Sequence, residues 1–185
     1  MGGMIRAIAL AIAVASAAPA LVQAQSQPPA QARPRADVAA QQAAGLFVTS
    51  CVQHAGQPAS LRAWAAKLGL PSLPDPGQAG FLKGAPGRVY DASNPAGKYV
   101  VVSLDDGGCM VLAESVNTTE LVRATEAALA QIAISAVLDG DRADLGDSGM
   151  RHRTYNASLA NRGWTVVISY GPRQPDQAML SAAAR

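Results

Sequence analysis

Apolar residues recur along this chain with two spacings, one that of a helix and one that of a strand. Ala44, Phe47, Cys51 and Ala55 fall on one helical face, with Val48 and Val52 beside them. Asp37 is a good N-cap for that helix, which is expected to run to about Gln53. Gly56-Gln57-Pro58 then separates a second helix, since proline suits a first helical turn. Its apolar stripe is Leu61, Trp64 or Ala65, and Leu68. Gly69 fits the position just past its end, and Pro71 prevents continuation. Residues 70–87 carry Pro71, Pro74, Pro76 and Pro86 and are expected to form a long loop, either functional or a wrap over the core.

Strand-like patterns follow. Arg88 to Asp91, Lys98 to Leu104 and Gly108 to Glu114 are the first three, and Asp105-Asp106-Gly107-Gly108 supplies the positive φ of a tight hairpin. Asn117-Thr118-Thr119-Glu120 resembles a capping box with Asn in place of Ser or Thr. The helix it opens is expected to reach about Leu138, with Leu121, Ala124 or Thr125, Ala128 and Ile132 on one side and Gly140 as its stop. An acidic loop, 139–147, leads to a second hairpin, Met150 to Asn156 and Trp164 to Tyr170. There Trp164, Val166, Ile168 and Tyr170 alternate with Thr165, Val167 and Ser169. The predicted order is α-α-β-β-β-α-β-β. It describes a single α+β domain over residues 37–172, with an antiparallel sheet of about five strands and helices on one face. Residues 173–185 are expected to be a loosely held tail.

The N-terminus changes the setting of that domain. Arg6 lies in a short positive region without acids, and an apolar run follows from Ala7 to Ala18 until Pro19 breaks it. Val22-Gln23-Ala24 places small residues where a signal peptidase reads, so cleavage is expected between Ala24 and Gln25. Met4 makes an equally good start. The apolar run is shorter than the roughly 20 residues a bilayer requires, and no Cys near the cleavage site would accept a lipid. Residues 25–36, rich in Gln, Pro and Ala, read as a disordered linker. The expected location is periplasmic or secreted, in a bacterial setting, with no membrane anchor after cleavage.

Charge adds an exclusion. The chain has 15 Lys and Arg against 13 Asp and Glu, and its formal net charge is +2. Loss of Arg6 with the leader leaves a near-neutral domain with scattered cations. Such a surface offers no footprint for nucleic acid or an anionic membrane.

Export decides the chemistry of the two cysteines, Cys51 and Cys109. An even count in an oxidising compartment favours a disulfide. It would tie the N-terminal helix to the sheet, closing a loop of about 60 residues and contributing roughly 4 kcal/mol through chain entropy. Cys51-x2-His54 has metal-like spacing, and Cys109 and His152 could complete four ligands. That second pair lacks local spacing, and thiols oxidise outside the cytoplasm.

No other motif specifies a reaction. Counted as an EF-hand from Asp139, the acidic loop has Ala143 at position 5, Asp144 where glycine is required and Met150 where glutamate is required. Gly84-Ala85-Pro86-Gly87 is too short to cradle phosphate. Asn117-Thr118-Thr119 and Asn156-Ala157-Ser158 match the glycosylation acceptor pattern, which matters only in a eukaryotic secretory route. Gly-x-Ser-x-Gly, His-Glu-x-x-His and Cys-x-x-Cys are absent from the sequence. No catalytic, cofactor or metal residue is assigned. The candidate binding surface is Arg151, His152, Arg153 and Tyr155 on one strand, with Arg151, Arg153 and Tyr155 sharing a face.

Phe47-x3-Cys51, Gly87-x2-Tyr90 and Gly108-Cys109-x-Val111 ahead of a long helix resemble a group of small exported proteobacterial proteins of unknown function. The resemblance covers about residues 38–137. It implies that the paired cysteines belong to the scaffold, and it carries no activity. The expected function is therefore a non-catalytic interaction or inhibitor module with an envelope or secreted partner. The alternatives are a small envelope hydrolase using His54 or His152 with an acid from 139–147, and a structural envelope component.

Overall fold

The computed structural model describes residues 32–144, 149–172 and 175–185. The leader, its cleavage site and most of the 25–36 linker lie outside the described residues. Four helices and seven strands follow in the order α1 (Ala32–Phe47), α2 (Pro58–Lys67), α3 (Asp75–Leu82), β1 (Gly87–Asp91), β2 (Tyr99–Leu104), β3 (Cys109–Val116), α4 (Thr118–Gln131), β4 (Ser135–Ala143), β5 (Arg151–Leu159), β6 (Arg162–Tyr170) and β7 (Asp176–Ala184). The strands form one antiparallel sheet in the order β1-β2-β3-β7-β6-β5-β4. The α+β class and the single antiparallel sheet are as expected. The strand number and the element order are not.

The largest correction concerns the C-terminus. Instead of a loose tail, residues 176–184 form β7, the middle strand, paired with β3 and β6. Its core face is Ala178, Leu180 and Ala182, all buried. Alanine gives a weak apolar signal and has little strand propensity, so the two-residue period is nearly silent in the sequence. The buried stripe of α1 is likewise made of small residues, Ala36, Ala39, Ala40, Ala43 and Ala44. α1 lies against both β3 and α4.

Two further boundaries moved. α1 begins at Ala32, five residues before the expected cap, because Pro34 sits in a first turn whose N–H groups need no helical partner. Asp37 instead accepts a 2.6 Å hydrogen bond from the Asn117 amide, joining α1 to the start of α4. Asn117 caps α4 as predicted, accepting from the Thr119 and Glu120 N–H groups. α4 stops at Gln131 rather than near Leu138. The Ile134 N–H bonds to the Leu129 carbonyl and the Ala133 N–H to the Ala130 carbonyl, the crossed pair that closes a helix end. The left-handed residue in that motif is Ala133, with φ +59°. Glycine usually marks this position, so the sequence carried no stop until Gly140. The residues beyond it become β4, and Asp139 and Asp141 of the expected acidic loop are strand residues.

The 70–87 segment is a wrap over the core, and it contains α3. Its backbone closes the β1 edge: the Leu73 N–H bonds to the Val89 carbonyl and the Asp91 N–H to the Pro71 carbonyl. Gln78 of α3 accepts from the Val89 N–H at 3.0 Å. α3 packs on β1 and β2 from the face opposite α1, where Val89 and Val102 are fully buried. Helices therefore occupy both faces, not one. At the far side, β4 is an open edge. A register shift between Leu138 and Gly140, together with Asp139, Asp141 and Arg142, blunts it against pairing.

α1 ends in a wider turn, Val48–Val52, in which the Gln53 N–H reaches the Val48 carbonyl five residues back. That turn presents Cys51 to Cys109, and the expected disulfide is formed. The Asp105–Gly108 hairpin tip docks beside it. The Gly56 N–H bonds to the Gly107 carbonyl, and a side chain on Gly107 would meet the Gly56 Cα at 2.8 Å. Both residues have positive φ, which glycine adopts without strain.

Two stability predictions follow from these contacts. Replacing Cys51 and Cys109 together by Ala should cost roughly 2–5 kcal/mol in urea unfolding, because the bridge closes a long loop. Ala133→Gly should add about 1 kcal/mol by relieving the left-handed alanine. That would raise the melting temperature by roughly 2–4 °C in a domain of this size.

Candidate functional site

The four residues of the predicted binding surface sit on β5, but strand alternation divides them between two faces of the sheet. Arg151, Arg153 and Tyr155 share the face that carries α4. There Arg151 bonds Asp141 at 2.7 Å. Arg153 lies 3.6 Å from Asp141 and 3.7 Å from Glu126. The Tyr155 hydroxyl donates to Glu126 at 2.6 Å, and burial pushes its pKa well above the usual phenol range. Two guanidiniums are thus matched by two carboxylates from β4 and α4. The cluster ties the outer strands to α4 and leaves no surplus positive charge for an anion.

His152 faces the other way. Its Nδ1 is 2.8 Å from the Ser169 hydroxyl and its Nε2 is 2.9 Å from the Asp144 carboxylate. A carboxylate, an imidazole and a hydroxyl in line have the composition of a nucleophilic triad. The backbone around them does not supply the rest. Ser169 lies on an inner strand, paired with His152 on one side and Met179 on the other, and is 3% exposed. Its flanking N–H groups belong to the sheet ladders, so they cannot form the donor pair that stabilises an oxyanion. Sequence spacing alone could not find Ser169. Its partner is set by the β5–β6 hairpin, whose tight turn at Ala160-Asn161 has Ala160 at φ +50° and no glycine at either turn position.

His54, the other histidine, pairs with the Ser60 hydroxyl at 2.9 Å, and burial lowers its pKa. Cys51 and Cys109 are consumed by their disulfide, which removes the Cys–His metal set and the Cys nucleophile. Among the described residues no cluster of three or more His, Cys, Asp or Glu could hold a metal ion. Among them, too, no helix is long and apolar enough to cross a membrane.

A concave surface lies elsewhere, between α1 and α2. Its volume is about 340 Å³, and its walls are Leu46, Trp64, Leu68 and Ala92 over Tyr99. Gln41, Gln42, Thr49 and Asn94 rim it, and Gly45 opens its α1 side. None of these residues is charged. The expected α2 stripe splits here. Leu61 and Ala65 enter the core, Trp64 stays half-buried, and Leu68 is 57% exposed. Gly69 closes α2 as predicted, its N–H bonding to Ala66 while that of Leu70 bonds to Ala65. Asp91 and Asn94 shape the opposite wall by accepting from the Ser93 and Ala96 N–H groups. Tyr99 anchors the floor through a hydrogen bond to the Ala39 carbonyl. The sequence named Trp64 and Leu68 only as core candidates, because a groove between two helices leaves no local pattern.

No protein-family model matches the chain, and no curated protein or solved structure is significantly similar to it.

The rim of the groove connects to an acid-sensitive contact. Glu120 of α4 accepts from Arg123 at 2.6 Å and from Gln41 of α1 at 2.7 Å. The Arg123 and Gln41 hydrogen bonds lower its pKa from 4.5 to about 2. A depressed carboxyl pKa stabilises the fold above its ordinary value, and that stability is lost as pH falls through the folded one. Urea midpoints of the wild type should therefore decline between pH 4.5 and about 2, and Glu120→Gln should show a shallower decline over the same window.

Proposed function

We propose that this chain is an exported binding module, delivered to the periplasm or secreted, that holds a ligand rather than transforming one. The observation that supports it is the uncharged groove between α1 and α2, where Trp64 and Leu68 stay accessible at the end of an otherwise core-facing stripe. The elements around that groove are rigidly held. α1 is stapled to β3 by the disulfide, and α2 is fixed to the β2–β3 turn by an Arg62–Asp105 ion pair. Such an arrangement suits recognition on a preorganised surface. The resemblance to small exported proteobacterial proteins is in keeping with the same setting.

The Asp144–His152–Ser169 line favours a second reading, a small envelope hydrolase. A buried hydroxyl on a straight inner strand, with its neighbouring N–H groups already paired, weighs against it.

One pair of measurements separates the readings. Oxidised, purified protein immobilised on resin should retain a stoichiometric component of envelope extract, and Leu68→Glu should release it. Equal retention by wild type and variant would sink the groove as the functional surface. Treatment with a fluorophosphonate probe should leave Ser169 unlabelled. Labelling that His152→Ala abolishes would establish the hydrolase reading instead.

A further inference from the structure

We propose that the groove between α1 and α2 takes a neutral oligosaccharide. This rests on the binding-module reading and names its ligand class. Charge is the first discriminator. The lining holds no Asp, Glu, Lys, Arg or His, so a phosphorylated, acidic or basic ligand would be desolvated there without a counter-charge. A wholly apolar ligand fits no better, because it would strip water from the rim amides and leave them unpaired.

A pyranose ring satisfies both constraints. One face of it is a patch of C–H groups that can lie on an indole, and its edges are hydroxyls that both donate and accept. Trp64, half-buried in the wall, is the stacking surface. The rim divides into donors and acceptors. The Asn94 carbonyl is held by the Ala96 N–H, which leaves its amide N–H groups for a ligand. The Gln41 amide is held by Glu120, which leaves its carbonyl. Thr49 donates its hydroxyl proton to the α1 backbone, leaving its lone pairs to accept.

Gly45 is an independent observation. A glycine inside a helix is less favourable than alanine there, and tight packing is the usual reason to keep one. Here nothing lies within 4 Å of where its Cβ would stand. The vacant volume belongs to the groove, and it lets a ligand reach the backbone of α1.

The test is a titration of the purified, oxidised protein with N-acetylglucosamine tetramer, cellotetraose and maltotetraose, read by tryptophan fluorescence and calorimetry. Trp164 is buried, so a saturable spectral change reports on Trp64. At least one sugar should bind. Trp64→Ala and Gly45→Leu should each weaken that binding about tenfold or more. Gly45→Leu should melt no lower than wild type, since it fills open space and removes a helical glycine. Its loss of binding therefore cannot be a loss of fold. If none of the sugars binds at millimolar concentration, the ligand class is wrong. If a sugar binds but neither variant weakens it, the site is wrong. If a proline-rich peptide binds in its place with the same sensitivity to both variants, the saccharide proposal falls while the binding module stands. Failure of both ligands together with failure of envelope capture would remove both.

Discussion

Cys51 and Cys109 fix how closely α1 can lie on the middle of the sheet, and most other contacts follow from that distance. With the Cα atoms 5.2 Å apart, the helix end and the start of β3 are in near contact. Only small side chains fit between backbones held so close. Alanines therefore line α1 where it meets β3 and α4, and glycines meet where the β2–β3 turn docks on the end of α1. The wider turn at Val48–Val52 is what brings the Cys51 sulfur round to the sheet. α4 then shares the same seat. Its cap residue Asn117 reaches back to Asp37, and its first-turn Glu120 reaches back to Gln41. Two helices and the central strands thus form one unit, and α2 and α3 are attached at its edges.

The parts of this arrangement that depend on neighbouring residues were legible in the sequence. Phe47, Cys51 and Ala55 declared the buried face of α1. Asp105 to Gly108 declared a hairpin, and Asn117 declared a helix start. The parts that depend on tertiary context were not. Ala133 stops α4 in a conformation that glycine usually marks, so the apolar period gives no sign of the stop at Gln131 and masks the start of β4. Ala178 and Ala182 are core positions that no strand preference announces. α3 was obscured because Pro74, Pro76 and Gly77 punctuate it, although prolines near a helix start are tolerated.

The same division holds for the candidate sites. Residues close together on β5 were grouped, and alternation separated them. The pairing of His152 with Ser169 depends on hairpin register, and the groove depends on the angle between two helices. Neither is a property of a short segment. The polar clusters are also closed on themselves. Arg151 and Arg153 are answered by Asp141 and Glu126, and His152 by Asp144 and Ser169. The groove between α1 and α2 is different in kind, a neutral, amphipathic concavity that no charged or catalytic residue pattern announces.

The place of β7 bears on how such a chain assembles. Residues 176–184 bridge two meanders, β1–β3 and β4–β6, that share no other strand pairing. Their partners in β3 lie some 60–70 residues earlier in the chain, a separation that makes closure slow and late. Until that strand has been synthesised, α1 has only half a sheet to rest on. A sheet with this topology cannot be completed until residues 176–184 are available to join its two halves. The Cys51–Cys109 bridge, whose ends are 58 residues apart, lies wholly within the part of the chain made before that strand.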